Sequence, residues 1–169
     1  MPLDPPPTTQ AHPSRWLRSV VAVPLLVDRD RTVVWRWLQD PATFVDGQVW
    51  PYRVEFLPGP DEHAFTPGVR NSHHGPLLHL PAVVGEVREL EHRELVYLYG
   101  AFVGGFRFAR PSRLTFDLVD LGPGRCAVTV GIEAALRPGL RWPWEVGNRW
   151  FWRRFGRWCE AATPVTSSR

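Results

Sequence analysis

The feature that most limits how this chain can fold is a change of hydrophobic period near its C-terminal end. Ser112–Leu121 and Cys126–Leu136 alternate apolar and polar residues, which is typical of strands with one buried face. From Pro143 onward, apolar residues recur at helical spacing instead. Because both apolar faces need a partner, we predict that the last helix packs on the sheet. Its stripe consists of Trp144, Asn148, Phe151, Phe155, Trp158 and Ala162.

The rest of the chain is mostly predicted strand. Asp30 is predicted to cap a short helix over Arg31–Leu38, and Asp40-Pro41 predicts a second helical turn. Glu91–Glu94 and Gly122–Gly124 predict hairpin turns. We therefore predict an α+β fold with two short helices after the first strand and a curved antiparallel sheet around a long C-terminal helix. About seven strands are expected: Trp16–Val27, Tyr52–Leu57, Val69–His74, Ala82–Leu90, Leu95–Phe102, Ser112–Leu121 and Cys126–Leu136.

Length and composition are those of one globular domain. The chain has 169 residues, of which 44% are hydrophobic and 22% charged. Residues 1–14 are rich in Pro and are expected to be disordered, whereas residues 163–169 are expected to form a flexible tail. The single domain is therefore predicted over residues 15–162.

The charge pattern argues against a nucleic-acid partner. The formal net charge is +3, and Arg alternates with acidic residues along most of the chain rather than forming a basic run. All 20 basic residues are Arg, and Pro and Gly are abundant, which a GC-rich coding bias explains. This composition fits a bacterial source.

Cysteine usage and hydropathy bear on the compartment. Cys126 and Cys159 lack the spacing of a metal site or a redox motif, so two buried thiols in a reducing compartment are expected. The first residues lack the apolar run of a signal peptide, and no apolar stretch is long enough to span a membrane. A cytoplasmic location is the expectation.

The order of elements resembles the helix-grip fold of the SRPBCC superfamily, which includes START and polyketide-cyclase proteins. Four segments carry the resemblance through their order and spacing, and together they span about residues 19–162. They are LLVDRDRTVVWRWLQDPATF (25–44), FTPGVRNSHHG (65–75), AVVGEVRELEHRELVYLYG (82–100) and RLTFDLVDLGPGRCAVTVGIEAAL (113–136).

The resemblance implies a cavity between the concave face of the sheet and the last helix. Its members bind lipids, sterols, polyketides or quinones, and some catalyse aromatisation, cyclisation or dehydration. The expected function is therefore binding or transport of a small hydrophobic molecule. The alternative is a polyketide aromatase/cyclase or a dehydratase-type enzyme that uses the same cavity. No catalytic residue is carried over from the resemblance, because none of the four segments is a catalytic motif.

Candidate cavity residues follow instead from the predicted faces of strands and helix. Aromatic side chains suit an apolar lumen, and a few polar groups would orient the ligand. Tyr97 and Tyr99 are two apart in a strand and therefore share a face. The predicted ligand-binding residues are Phe56, His73, Tyr97, Tyr99, Phe106, Phe116, Trp144, Asn148, Phe151 and Phe155.

Several polar residues leave alternatives open. His73 and His74 are adjacent in a strand, so only one can face the cavity, and no metal site or cofactor is expected. Asn148 is expected to bond the sheet or to orient a ligand. Glu133 is expected on the outer face, with a lumenal acid/base role as the alternative. An enzyme would draw on His73, Tyr97, Tyr99 and an arginine such as Arg113.

The sequence of the last helix suggests one further binding partner, a membrane surface. Arg and Trp at helical spacing in RWPWEVGNRWFWRRFGRW suit the surface of a membrane, so a weak membrane contact is a second expectation. The sequence leaves open the identity of the ligand, the presence of turnover, the oligomeric state and the pathway.

Overall fold

A computed structural model describes residues 13–45, 53–58, 63–75, 78–98 and 108–164. Seven strands and four helices lie in these ranges. In chain order they are β1 (Leu17–Val27), α1 (Arg31–Gln39), α2 (Ala42–Val45), β2 (Arg53–Leu57), β3 (Arg70–Gly75), β4 (Leu78–Arg88), β5 (His92–Tyr97), β6 (Ala109–Asp120), β7 (Cys126–Leu136), α3 (Arg141–Trp152) and α4 (Phe155–Ala162).

The strands form one curved antiparallel sheet in the order β1-β7-β6-β5-β4-β3-β2. Consecutive strands from β2 to β7 are neighbours, and the first strand closes the far edge by pairing with the last. The predicted α+β fold is therefore confirmed. Two short helices follow β1, as expected, and C-terminal helices pack on the sheet.

The β6–β7 hairpin matches its predicted pattern. Leu114, Phe116 and Leu118 are buried, and the polar residues between them lie on the opposite face. Gly122 and Gly124 have φ values of 103° and 74°, which residues with a side chain rarely adopt. These two glycines allow the tight turn that joins the longest pair of strands.

The β4–β5 hairpin turns earlier than predicted. Its chain reversal falls before His92, with Leu90 at a φ of 63°, so Arg93 and Glu94 are strand residues. The prediction that residues 91–94 form the turn is right for Glu91 and wrong for residues 92–94, whose side chains belong to the two faces of β5. The predicted extension of this strand to Phe102 falls partly on residues 99–102, which lie outside the described part.

The start of α1 is where the sequence predicts it, but the cap works differently. Asp30 is the N-cap residue, yet its carboxylate makes no hydrogen bond to the helix. Its Oδ1 instead accepts from the backbone N–H of Gly124 at 2.7 Å. Asp30 therefore links α1 to the β6–β7 turn, and α1 is held chiefly by its buried face, which includes Val34 and Leu38.

The single long C-terminal helix of the prediction is interrupted. The first helix, α3, ends at Trp152, and α4 begins at Phe155. The two residues between them keep right-handed helical dihedrals, with φ −57° and ψ −18° at Arg153 and φ −84° and ψ −14° at Arg154. The apolar spacing runs through this break, and for that reason periodicity predicts one helix.

The two cysteines are buried and free, as expected. Burial raises the pKa of the Cys126 thiol to about 11 and that of Cys159 to about 12. Both thiols are therefore protonated at neutral pH and take part in packing rather than in chemistry.

Candidate functional site

A cavity of about 500 Å³ lies between the concave face of the sheet and α3. Each strand from β2 to β7 contributes at least one wall residue, since every second residue of a strand faces inward. The opposite wall belongs to α3. Apolar and aromatic side chains dominate both walls, as is usual in sites for small organic molecules.

Seven of the ten predicted site residues line this cavity, one is wrong because it lies in the core, and two cannot be placed. Phe155 is fully buried in the core, where its ring lies 5.2 Å from that of Trp37. Tyr99 and Phe106 lie outside the described residues. The seven that border the cavity are Phe56, His73, Tyr97, Phe116, Trp144, Asn148 and Phe151.

His73 is the histidine that faces the cavity. Its Nε2 donates to Oδ1 of Asn71 at 3.0 Å, and its ring meets the Tyr97 ring edge-on at 4.9 Å. Burial, and then the nearby Arg93 and His74, lower the pKa of His73 to about 3. The imidazole is therefore neutral at physiological pH and is a weak base.

His74 points to the other face, as the strand geometry predicts. It is partly exposed and lies 3.2 Å from His79 and 3.5 Å from the carboxylate of Glu55. Among the described residues no group of three or more His, Cys, Asp or Glu side chains could hold a metal ion.

Arg93 is a cavity residue that sequence reasoning missed. Its side chain is 1% exposed and lies between two aromatic faces, 4.6 Å from the Phe65 ring centroid and 4.9 Å from that of Phe116. One terminal nitrogen donates to the carbonyl oxygen of Leu38 at the end of α1. The sequence does contain a signal for Arg93. If the predicted strand that starts at Leu95 is extended by two residues toward the N-terminus, Arg93 shares the inward face with Leu95 and Tyr97.

Burial also changes the acidity of this guanidinium. The loss of hydration lowers the pKa of Arg93 to about 9, and the nearby Tyr97 opposes that shift. Arg93 therefore stays charged at neutral pH. Among the described lining residues none is an Asp or a Glu, so the net charge on this part of the wall is positive.

The two other polar residues considered from the sequence lie outside the cavity. Glu133 accepts from Arg18 at 2.8 Å on the face opposite Ile132, so the lumenal alternative for Glu133 is wrong. Arg113 pairs with Glu94 at 2.7 Å on the same outer face. Each occupies the strand position next to a lining residue and therefore points away from the cavity.

Asn148 lines the cavity, but its bond is local. Its Nδ2 donates to the carbonyl oxygen of Trp144 one turn earlier at 2.9 Å. The expectation that it bonds the sheet is therefore wrong. The indole N–H of Trp144 is buried beside the cavity, and no acceptor from the described residues reaches it. A ligand oxygen at this place would remove the cost of that unpaired donor.

The α3 wall differs in burial from the sheet wall. None of its residues is buried, and Trp142 and Trp150 are 75% and 62% exposed. Trp150 nevertheless lines the cavity, whereas Trp142 is not among the lining residues. None of the described helices combines the length and the hydropathy needed to cross a bilayer.

Comparisons with known proteins identify the fold. No family model matches the sequence, and no curated protein matches it either. Norcoclaurine synthase from Thalictrum flavum, in complex with dopamine and hydroxybenzaldehyde, superposes with a TM-score of 0.64 at 10% identity over 92% of this chain and 91% of that chain. The Mll3558 protein from Rhizobium loti gives 0.63 at 15% identity over 85% and 98%.

A third structure, protein MLL2253 from Mesorhizobium loti, gives a TM-score of 0.61 at 18% identity over 85% of this chain and 95% of that chain. Neighbours of this kind belong to the Bet v1/SRPBCC helix-grip superfamily. Identities this low establish the fold and leave ligand and activity to the site itself. The chain therefore has a Bet v1-like helix-grip fold, with a seven-stranded antiparallel sheet packed against its C-terminal helices.

Proposed function

We propose that this protein binds and carries a small hydrophobic molecule in the cavity between the sheet and α3. The supporting observation is the cavity itself, about 500 Å³ of space with walls that are mostly apolar and aromatic. Pockets of roughly 300–1,000 Å³ hold most small organic ligands. A lipid, a polyketide or a quinone-like molecule fits this description, and flat rings would stack on Phe56, Trp144 or Phe151.

Catalysis of an aromatase/cyclase or dehydratase type is the second candidate for the same cavity. It needs a base near the substrate carbonyl. His73 is placed for this, but a base whose conjugate acid has a pKa of about 3 removes protons poorly at neutral pH. The described lining residues include no carboxylate to take its place. These two facts favour binding without turnover.

Titration with phenylnaphthylamine, a neutral fluorescent probe that brightens in apolar surroundings, tests the binding proposal. We expect saturable binding of one probe per chain. Ile132→Trp places an indole at the cavity wall and should weaken binding, whereas Val20→Trp on the exposed outer face should not. Circular dichroism confirms that both variants fold. The binding proposal fails if the wild-type chain takes up no probe, or if the two variants bind it equally well.

We also propose a weak contact between the outer face of α3 and anionic membrane surfaces. Trp142, Val146 and Trp150 are spaced by one helical turn and are all exposed, so they form an apolar stripe. Arg149 and Arg153 lie exposed beside it, and this combination suits anionic lipid headgroups. Flotation with phosphatidylglycerol vesicles at low salt should recover the protein, and phosphatidylcholine vesicles should not. A protein that stays at the bottom with both would contradict this contact.

A further inference from the structure

Three polar residues of the sheet wall, Arg93, His73 and Tyr97, line the cavity. Asn71 is not a lining residue but holds His73, and we call the four residues the Arg93 cluster. Asn71 is hydrogen-bonded to His73, and His73 meets the Tyr97 ring. Arg93 shares the inward face of β5 with Tyr97, and its guanidinium lies 4.9 Å from the ring centroid of Phe116, another lining residue. All four side chains are at most 7% exposed, so the cluster is removed from bulk water.

The cluster contains one charge, and it is positive. Arg93 has only donors to offer, since a guanidinium accepts no hydrogen bonds. His73 is neutral and is already held by Asn71. The groups of this cluster therefore suit an acceptor, and preferably a charged one.

We propose that the Arg93 cluster binds an anionic oxygen group of the ligand, such as a carboxylate or an enolate, so that the cavity selects amphipathic acids over neutral apolar molecules. This inference rests on the proposed function, because the apolar body of the ligand occupies the same cavity. Hydrogen bonds between a guanidinium and an oxyanion are among the strongest in proteins. They gain further strength where water is excluded.

The burial of Arg93 has the same implication. Contacts of its guanidinium include the carbonyl oxygen of Leu38 and the rings of Phe65 and Phe116. Its lowered pKa of about 9 means that burial disfavours the charged form. A ligand anion would favour that form again. The rings of Phe65 and Phe116 on either side hold the guanidinium plane in place, so the site needs little ordering when the ligand arrives.

The test compares two probes that differ in one group. Anilinonaphthalene sulfonate carries an anionic sulfonate, and phenylnaphthylamine is the same ring system without it. A purely apolar cavity would prefer the neutral probe, because it is the more hydrophobic of the two. We expect the opposite order in calorimetric titration, with the sulfonate bound about ten-fold more tightly. Each probe should displace the other, which places both in one cavity.

Variants then assign the preference to Arg93. Arg93→Met removes the charge with little change in side-chain length and should reduce the ratio of the two affinities to about two or less. Arg93→Lys should keep the preference in part. Arg18→Met removes the same charge from the exposed outer face and should leave the ratio unchanged.

Salt provides a measurement that needs no variant, should Arg93→Met fail to fold. At about 1 M salt the screening length is about 3 Å, so attraction by surface arginines disappears while a buried contact persists. We expect the preference for the sulfonate to survive.

The outcomes separate the two proposals. If neither probe binds, the proposed function fails. If phenylnaphthylamine binds as tightly as the sulfonate, the cavity carries neutral ligands and the inference is overturned while the function stands. A sulfonate preference that vanishes in salt, or that persists in folded Arg93→Met, overturns the inference as well.

Discussion

The two C-terminal helices continue one apolar stripe but are held in different ways. In α4, Phe155, Gly156 and Cys159 are buried, whereas none of the twelve residues of α3 is. Both helices contact β1, and α3 also contacts β7. Only α3, however, has the cavity beneath it. One half of the helical segment therefore belongs to the core, and the other half forms the wall of the binding site.

The packing of α4 explains the difference. Phe155 contacts Trp37 and Phe116, whose ring centroids are 5.2 and 5.4 Å away. A Cβ at Gly156 would lie 3.4 Å from the carbonyl oxygen of Leu26, so the helix approaches β1 closely. A helix fixed in this way moves little, and we expect adaptation to different ligands to occur in α3.

The largest effect on stability is expected when a phenylalanine ring is removed from each helix in turn. Phe155→Ala leaves a hole in the core and should lower the free energy of unfolding by about 3–5 kcal/mol. Phe151→Ala, one turn earlier in the half-buried cavity wall, should lower it by only about 1 kcal/mol. Urea denaturation of both variants measures the difference. Equal losses would mean that α3 is as firmly packed as α4.

Periodicity predicted the elements of this fold better than it predicted the site. The alternation in β6 and β7 defines their buried faces, because burial on one side of a strand leaves a period of two in the sequence. The same reasoning placed His73 and His74 on opposite faces of their strand. It could not separate α3 from α4, since Phe151 and Phe155 have the same chemistry and the same spacing.

Neither the cavity nor the position of Arg93 follows from the spacing of neighbouring residues in the sequence. A cavity is space that side chains leave unfilled, so no residue in the sequence marks it. Arg93 was missed because a charged residue beside Glu91 and Glu94 is more typical of a turn than of a buried strand. The chain reverses at Leu90, before these residues, and this puts Arg93 in the strand.

A smaller effect is expected from the anchor at the C-terminal end of α4. The Nε of Arg29 donates to the carbonyl oxygen of Thr163 at 2.5 Å, and a terminal nitrogen donates to that of Glu160 at 2.8 Å. These bonds satisfy carbonyls that the end of the helix leaves without partners.

Arg29→Ala should therefore lower the free energy of unfolding by about 1–3 kcal/mol and speed hydrogen exchange in α4 more than in α3. Arg157→Ala, which removes an exposed arginine from the same helix, should change stability by about 0.5 kcal/mol or less. A stability loss in Arg157→Ala as large as that in Arg29→Ala would show that helix charge, rather than the anchor, holds α4.

The smallest changes in stability are expected for the two exposed tryptophans of α3. They also test which residues of this helix act as the cavity wall. Trp142→Ala and Trp150→Ala each remove an exposed indole, so each should alter the free energy of unfolding by about 0.5 kcal/mol or less. Only Trp150 lines the cavity, and its ring is covered by the guanidinium of Arg154, 3.4 Å from the ring centroid. Trp150→Ala should therefore weaken phenylnaphthylamine binding about five-fold, the value of roughly 40 Å² of lost apolar contact, and Trp142→Ala should not.

Vesicle binding gives the complementary result for the same pair. Both indoles lie on the exposed stripe of α3, so both substitutions should reduce flotation with phosphatidylglycerol vesicles to a similar degree. We therefore expect Trp142→Ala to lose vesicle binding and keep probe binding, and Trp150→Ala to lose both. This result would show that the outer surface of α3 and its cavity wall have separate roles. If Trp142→Ala weakened probe binding as much as Trp150→Ala, the helix would act on the ligand as a whole, and its two faces could not be assigned separate roles.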